Sequence, residues 1–437
     1  MSPVCSVVKR TILKHARSSE LLISVAVPVP TLDLLTYRIP SGTPVPAVGA
    51  RVVVPLGSRV VTGIVVAVDV SSDGVGEIRP IRQLLDADSF VPPEVVELAR
   101  WTAEYYAAGA GETITAVLPP KTRGGRTSGH KMRRMAAVTA AGLELLALRH
   151  AQDEQAAPCD PRLTSKQFLA LDLLAAAPLG MAMPQLAAHG AAPDVVARLA
   201  ARGLVSFRRD RLDRDPFEAG SFDAGPSDPG RRLTLEQAAA LERLVRLAGE
   251  HTFRVALLHG VTGSGKTEIY IRLSAVVRDA GRRVLMLVPE IALTPVIASL
   301  FRQAFGEQVA ILHSGLSDGE RHDEWQRIRR GEVHVVVGTR SAVFAPLARV
   351  GLIVVDEEHD GSYKQEESPR YHGRDVAIVR AQREHALVVL ASATPSMESY
   401  HNAMVGRYER VVLERRVGDR PLPAVTVVDM REEYAVA

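Results

Sequence analysis

The chain has 437 residues, enough for roughly two to four domains with their own cores, and its apolar and charged fractions are those of an ordinary globular protein. A formal charge of +3 excludes a global field as the means of choosing partners, so any basic surface has to be local. Two cysteines, Cys5 and Cys159, exclude a disulfide framework and a four-cysteine zinc site, and no apolar run is long enough to span a membrane; together these point to a reducing cytoplasm.

In chain order, residues 1–21 read as a polar, basic, flexible extension. A β-rich unit over 22–118 follows, in which the β-branched runs 25–29, 51–55 and 60–68 are punctuated by Pro40-Ser41-Gly42, Pro44, Pro46, Gly49 and Gly57. Residues 92–106 read as a helix with Val95, Val96, Leu98, Ala99, Thr102 and Tyr105/Tyr106 on one face. Residues 119–135 form a basic linker, where Lys121, Arg123, Arg126, Lys131, Arg133 and Arg134 stand without an acid; it is either a solvated tether or a phosphate-contacting arm.

Residues 136–212 fit a winged-helix domain, with helices at 165–175, 183–188 and 193–202 and a wing strand from Val205-Ser206-Phe207. Such modules bind DNA or only pack against neighbours. A second linker, 213–230, is rich in Asp, Gly, Pro and Ser. Strand–helix alternation over 231–415 then marks a multidomain α/β protein with a doubly wound parallel sheet. Its candidate strands lie at 255–258, 283–288, 309–312, 333–337, 352–355 and 386–390.

Two motifs in this block carry chemistry. Gly260-Val261-Thr262-Gly263-Ser264-Gly265-Lys266-Thr267 has phosphate-loop spacing between an apolar run and a helical one. Glycines let backbone N–H groups curl around phosphates, Lys266 adds a cation, and the Thr267 hydroxyl suits Mg²⁺. A plain glycine-rich turn is the bland alternative. Asp356 ends the run Leu352-Ile353-Val354-Val355, where a Mg²⁺ ligand belongs in an open α/β sheet, and Glu357 is placed to orient or deprotonate a water. Standing alone, the pair would be an acidic turn.

Further segments carry a resemblance. Leu287-Val288-Pro289-Glu290-Ile291-Ala292-Leu293-Thr294, His313-Ser314-Gly315-Leu316-Ser317, Gly338-Thr339-Arg340-Ser341-Ala342-Val343-Phe344 and Ser392-Ala393-Thr394-Pro395-Ser396 resemble the ordered motifs of superfamily 2 helicases. Their wording is closest to the primosomal replication-restart helicases. The stretch from Asp356 to Glu366, followed by Pro369-Arg370-Tyr371-His372, resembles that family's aromatic-rich loop. Thr36-Tyr37, Gly49-Ala50-Arg51-Val52, Val54-Pro55-Leu56-Gly57 and Tyr105-Tyr106 with Gly111-Glu112 resemble its 3′-end DNA-binding domain. The resemblance covers residues 22–437 and implies a RecA-like helicase lobe 1 behind a β-rich DNA-binding domain and a winged helix.

Carried onto these positions, it implies that Lys266, Thr267, Asp356 and Glu357 serve phosphate, metal and water. Gln237 resembles a glutamine that reads an adenine edge, where the bare sequence also allows a solvated helix residue. Ser392 and Thr394 resemble the motif that couples the phosphate site to DNA, and Thr339 and Arg340 suit contact with the DNA backbone. Lys364 belongs to the aromatic-rich loop, whose Tyr363 and Tyr371 either stack on bases or fold onto their own sheet. Tyr37 and Gly57 frame the 3′-end pocket. There the family often places Phe-Asp before the tyrosine, but this chain has Leu35-Thr36, which removes the carboxylate expected to hold a 3′-hydroxyl.

Residues 416–437 resemble the opening of the second helicase lobe, with the strand Val425-Thr426-Val427-Val428-Asp429-Met430. A site normally completed by an arginine finger from that lobe is expected to turn over weakly here, since such fingers contribute roughly 10³–10⁵-fold. Expected cofactors are ATP and Mg²⁺; zinc is expected of the full-length family, but its ligands are not in this chain. Expected partners are branched and single-stranded DNA, primosome and replicative-helicase-loading proteins, and single-stranded DNA-binding protein. The resemblance implies a monomer in the bacterial cytoplasm, associated with the nucleoid and not with a membrane. It implies a replication-restart helicase that unwinds 3′ to 5′ with ATP hydrolysis. A non-catalytic fork-binding primosome scaffold and a generic superfamily 2 translocase are the alternatives.

Overall fold

The N-terminal sheet is built around its longest strand. In the computed structural model, which describes residues 21–29, 33–71, 77–119, 131–153, 163–177, 180–212, 232–289 and 295–418, β1 (Leu22–Ala26), β2 (Leu35–Arg38), β3 (Arg51–Leu56), β4 (Arg59–Val68) and β5 (Gln83–Leu84) lie in the order β2-β1-β4-β3-β5. Every pairing is antiparallel. The expected strand at 25–29 is observed at Leu22–Ala26, and it stops short of Pro28, which has no N–H to give the ladder. Helix α1 (Pro93–Tyr105) starts with proline in its first turn, where no donor is needed, and buries Val95, Val96, Leu98, Ala99, Thr102 and Ala103. Helix α2 (Ala110–Ala116) crosses the end of β1 so closely that a Cβ on Gly111 would lie 2.0 Å from the Val27 carbonyl oxygen.

The middle region contains β6 (Lys131–Val138), α3 (Ala140–Asp153), α4 (Ser165–Ala175), β7 (Met181–Ala182), α5 (Met183–Ala188), α6 (Pro193–Ala201) and β8 (Val205–Leu212). The strands form a sheet in the order β7-β6-β8, and Leu171, Leu174, Leu186, Val196 and Leu199 fill the space beneath it. One expectation is corrected here. Lys131 to Arg134 are not linker but strand, paired antiparallel with β8 from Lys131↔Leu212 to Val138↔Val205. Residues 120–130 of that expected linker, the linker 213–230, the extension 1–20 and the segment 425–430 lie outside the described residues.

The third region is a seven-stranded sheet with every described pairing parallel. Its elements are α7 (Leu235–Gly249), β9 (Arg254–Gly260), α8 (Lys266–Asp279), β10 (Arg283–Leu287), α9 (Pro295–Phe305), β11 (Val309–Leu312), α10 (Asp318–Arg329), β12 (Val335–Gly338), β13 (Val350–Val355), α11 (Gly373–Glu384), β14 (Leu387–Ser392), α12 (Met397–Met404) and β15 (Glu409–Leu413). The strand order is β11-β12-β10-β13-β14-β9-β15. β13 and β14 are buried along their whole length, as strands covered on both faces must be. Among the described residues no helix is long and apolar enough to cross a membrane.

The N-terminal sheet and this lobe share a core. Phe90 stacks on Trp325 of α10, with ring centroids 4.8 Å apart. The Arg51 guanidinium lies 3.8 Å from the Phe90 centroid and that of Arg329 4.9 Å. Arg51, which is buried, is balanced by a bidentate pair with Asp86, and Arg329 Nη2 donates to the Ser89 carbonyl at 2.9 Å.

Candidate functional site

β13, β14 and β9 are neighbours, and the residues at their C-terminal ends make the site. After β9 the chain turns through Gly263 and Gly265 at φ +82° and +83° and enters α8 at Lys266. Only glycine suits position 265: beyond the left-handed backbone, a Cβ would lie 2.3 Å from Gln237 Nε2. Lys266 Nζ donates to the Gly260 carbonyl at 2.9 Å and lies 3.7 Å from Glu357 Oε1. Ser264 is buried, and among the described residues its hydroxyl has no hydrogen-bond partner. A cavity of about 440 Å³ opens here, lined by Thr262, Gly263, Gly265, Thr267, Glu268 and Arg416 among others.

Gln237 is not a solvated helix residue. It is 4% exposed, closes a capping box with Thr234, and donates from Nε2 to the Ser264 carbonyl at 2.8 Å, bracing the loop.

Asp356 is held from three sides. Its N–H donates to the Leu287 carbonyl at 2.9 Å, Tyr270 OH donates to its Oδ1 at 2.8 Å, and Tyr363 OH donates to its carbonyl at 2.7 Å. Burial pushes the Asp356 carboxyl above the usual carboxylate range, while the Tyr270 hydrogen bond pulls it back. Glu357 has φ +41°, a strained left-handed turn for a residue with a Cβ, and this turn points its carboxylate at Lys266.

The next two residues tie the acidic turn to the end of β14. His359 Nδ1 and Ser392 Oγ lie 2.8 Å apart, and Thr394 N donates to Ser392 Oγ at 2.9 Å. Glu358 is fully buried and accepts from Ser396 N, Ser396 Oγ, Ser399 Oγ and Arg374 Nη1. Any movement of the 392–396 turn therefore pulls on the acidic turn.

The residues expected to meet DNA are only partly free to do so. Thr339 is 6% exposed and Arg340 is half-buried, donating from Nη1 to the carbonyls of Ser362 and Lys364. This segment is clamped from below by Arg380, which donates to the carbonyls of Val343, Ala345 and Leu347. The expected stacking role of Tyr363 and Tyr371 is corrected. Tyr363 is 0% exposed and Tyr371 5%, its ring edge-on to Phe344, so neither offers a face to a base. Lys364 between them is exposed. Tyr37 is also buried, its hydroxyl donating to the Pro55 carbonyl at 2.9 Å, whereas Gly57 stands open in the β3–β4 turn at φ +59°.

Sequence reasoning missed Tyr270, Glu358, Arg374 and Arg380. Tyr270 had a signal, four residues after Lys266 and so on the same helix face. Arg380 had a partial one, its i,i+4 pair with Glu384, but its three carbonyl partners lie far back in the chain. Glu358 and Arg374 meet across 16 residues, a pairing with no local signal.

A family model described as the 3′DNA-binding domain (3′BD) of PriA matches residues 24–119, and one described as DEAD/DEAH box helicase matches residues 234–403. The chain is similar to the replication restart protein PriA of Bacillus subtilis (strain 168), 36% identical over 438 residues that cover 88% of this chain and 54% of that protein. The PriA of Haemophilus influenzae is 34% identical over 415 residues, covering 94% of this chain and 54% of that protein. That of Synechocystis sp. is 45% identical over 243 residues, covering 54% and 28%. The chain spans about half the length of the first two of these relatives.

Proposed function

We propose that this chain, which belongs to the PriA family of replication restart proteins, binds branched and single-stranded DNA and couples it to ATP hydrolysis that drives 3′-to-5′ unwinding at stalled forks. In this reading its protein works in the bacterial cytoplasm as a monomer. There it helps reload the replicative helicase together with primosome proteins and single-stranded DNA-binding protein. One observation carries the proposal. The phosphate loop, the Asp356-Glu357 pair and the Ser392–Thr394 turn meet at three adjacent strand ends, joined through Lys266, His359 and Ser392.

The residues present fit a nucleotide and its metal. The glycine turns and the Ser264 hydroxyl, unpartnered among the described residues, suit phosphate, and the Thr267 hydroxyl with the Asp356 carboxylate would hold Mg²⁺, which would supply charge neutralisation for the phosphates. Lys266 then binds phosphate, Glu357 orients the attacking water and takes its proton, and Ser392 and Thr394 report the state of the site to the DNA face.

Tyr270 gives a specific prediction. Asp356 must be ionised to hold a cation, and its carboxyl is raised by burial, so the Mg²⁺ requirement should climb on acidification sooner than an ordinary aspartate would cause. Tyr270→Phe removes the hydrogen bond that opposes the rise. Its acid limb should therefore move to higher pH and its half-saturating Mg²⁺ concentration should increase. A Mg²⁺ titration identical to that of the unaltered chain would remove Tyr270 from the site.

DNA binding should be sequence-tolerant and weaken with salt, since Arg340 and Lys364 address phosphates. Arg340→Ala should weaken it further, both by losing a cation and by releasing the 362–364 backbone. Forks ending in a 3′-hydroxyl should be preferred only modestly over 3′-phosphate ends, because Thr36 brings no carboxylate. The test of the whole reading is ATP turnover with and without forked DNA. Fork affinity without any stimulated turnover would leave a binding scaffold in its place.

A further inference from the structure

With Tyr363 and Tyr371 buried, the open aromatic surface beside this loop belongs to another element. Trp101 and Tyr105 are four residues apart on α1 and so share a face; their rings stack at 4.9 Å and 20°. Tyr106 meets Tyr105 edge-on at 4.9 Å. α1 buries its aliphatic face, yet Tyr105 is left 67% exposed. Lys364 Nζ lies 5.3 Å from the Tyr106 centroid and is steadied by the Arg370 carbonyl at 2.7 Å. The Lys364 carbonyl is in turn gripped by Arg340 Nη1 at 2.8 Å, so the backbone-contacting segment and the aromatic cluster are joined by one hydrogen-bonded step.

Resting on the DNA-binding reading above, we propose that the C-terminal end of α1 is a stacking platform for an unpaired nucleobase of single-stranded DNA, formed by Tyr105 on Trp101 and Tyr106 with the Lys364 ammonium taking the neighbouring phosphate. The chemistry selects this occupant. An exposed ring already ordered against a second ring meets a base at little entropic cost, and every base has a π-face, so the contact is blind to sequence. The adjacent cation suits the phosphate that each nucleotide carries. Duplex DNA keeps its base faces stacked internally and gains only the lysine.

Trp101 and Trp325 are the chain's two tryptophans, which makes the platform its own reporter. In a Trp325→Phe chain, oligo(dT) should quench Trp101 emission with the midpoint seen by anisotropy of labelled oligo(dT). Tyr105→Ala, at an exposed position, should weaken oligo(dT) binding about tenfold, Tyr105→Phe should restore it, and an abasic oligonucleotide should bind all three chains equally. Should Trp325→Phe fail to fold, the anisotropy comparison alone decides. Unchanged oligo(dT) affinity in Tyr105→Ala, or equal weakening toward abasic strands, overturns the platform. If Arg340→Ala still weakens binding in that case, the DNA-binding reading stands without it. An unaltered chain that binds no oligonucleotide at low salt sinks both.

Discussion

Lys266→Ala is expected to cost this chain its affinity for Mg·ATP, by roughly 2–5 kcal/mol, the usual loss on truncating one partner of a buried charge pair. The lysine side chain is 10% exposed and held over the phosphate loop by the Gly260 carbonyl, so no solvent cation replaces it readily. Glu357→Gln should behave differently. It keeps the shape of the turn and the reach toward Lys266 but cannot take a proton, so nucleotide binding is spared while turnover falls about 10²–10⁴-fold. Equilibrium binding of a fluorescent nucleotide and single-turnover hydrolysis separate the two variants. Unchanged nucleotide affinity in Lys266→Ala would mean that the glycine-rich turn binds no phosphate.

The second large effect concerns stability. Tyr363→Ala and Tyr371→Ala each empty a ring-sized space in the lobe's core and should destabilise it by about 3–5 kcal/mol. Tyr363→Phe should cost less, about 1–3 kcal/mol, because it only strips the hydroxyl that donates to the Asp356 carbonyl. Thermal melting of the lobe's circular dichroism is the measurement. If both alanine variants melt like the unaltered chain while losing single-stranded DNA, the rings reach solvent after all and the stacking role returns to them.

These tyrosines show where the sequence ran out. The phosphate loop, the acidic pair and the buried strands were legible because glycine spacing and β-branched runs are local signals, and the sheet places them at adjacent strand ends as that pattern requires. Whether an aromatic in a loop faces water or core depends on what folds over it. For Tyr371 that is Phe344, far back in the chain. Lys131 to Arg134 misled for a related reason. Four mostly charged residues have no strand signature of their own, and they are extended because β8 supplies the ladder. Glu358 follows two other acids in the sequence and is set apart from them only by the fold, which brings four donors to its carboxylate.

The Phe90 contact has a bearing on how the protein is made. Ser89 and Arg329 are 240 residues apart in sequence, yet they are hydrogen-bonded beside the stacked rings of Phe90 and Trp325. A chain leaving the ribosome completes that sheet long before Trp325 has been synthesised, so Phe90 must wait against water or against a chaperone. Proteolysis of stalled nascent chains should find the 86–92 segment cleavable until α10 has emerged and protected afterwards. Protection before that point would show that the sheet closes on its own. The N-terminal domain is thus synthesised first but finished late, and translation speed across the intervening residues sets how long its unfinished surface stays open to misassembly.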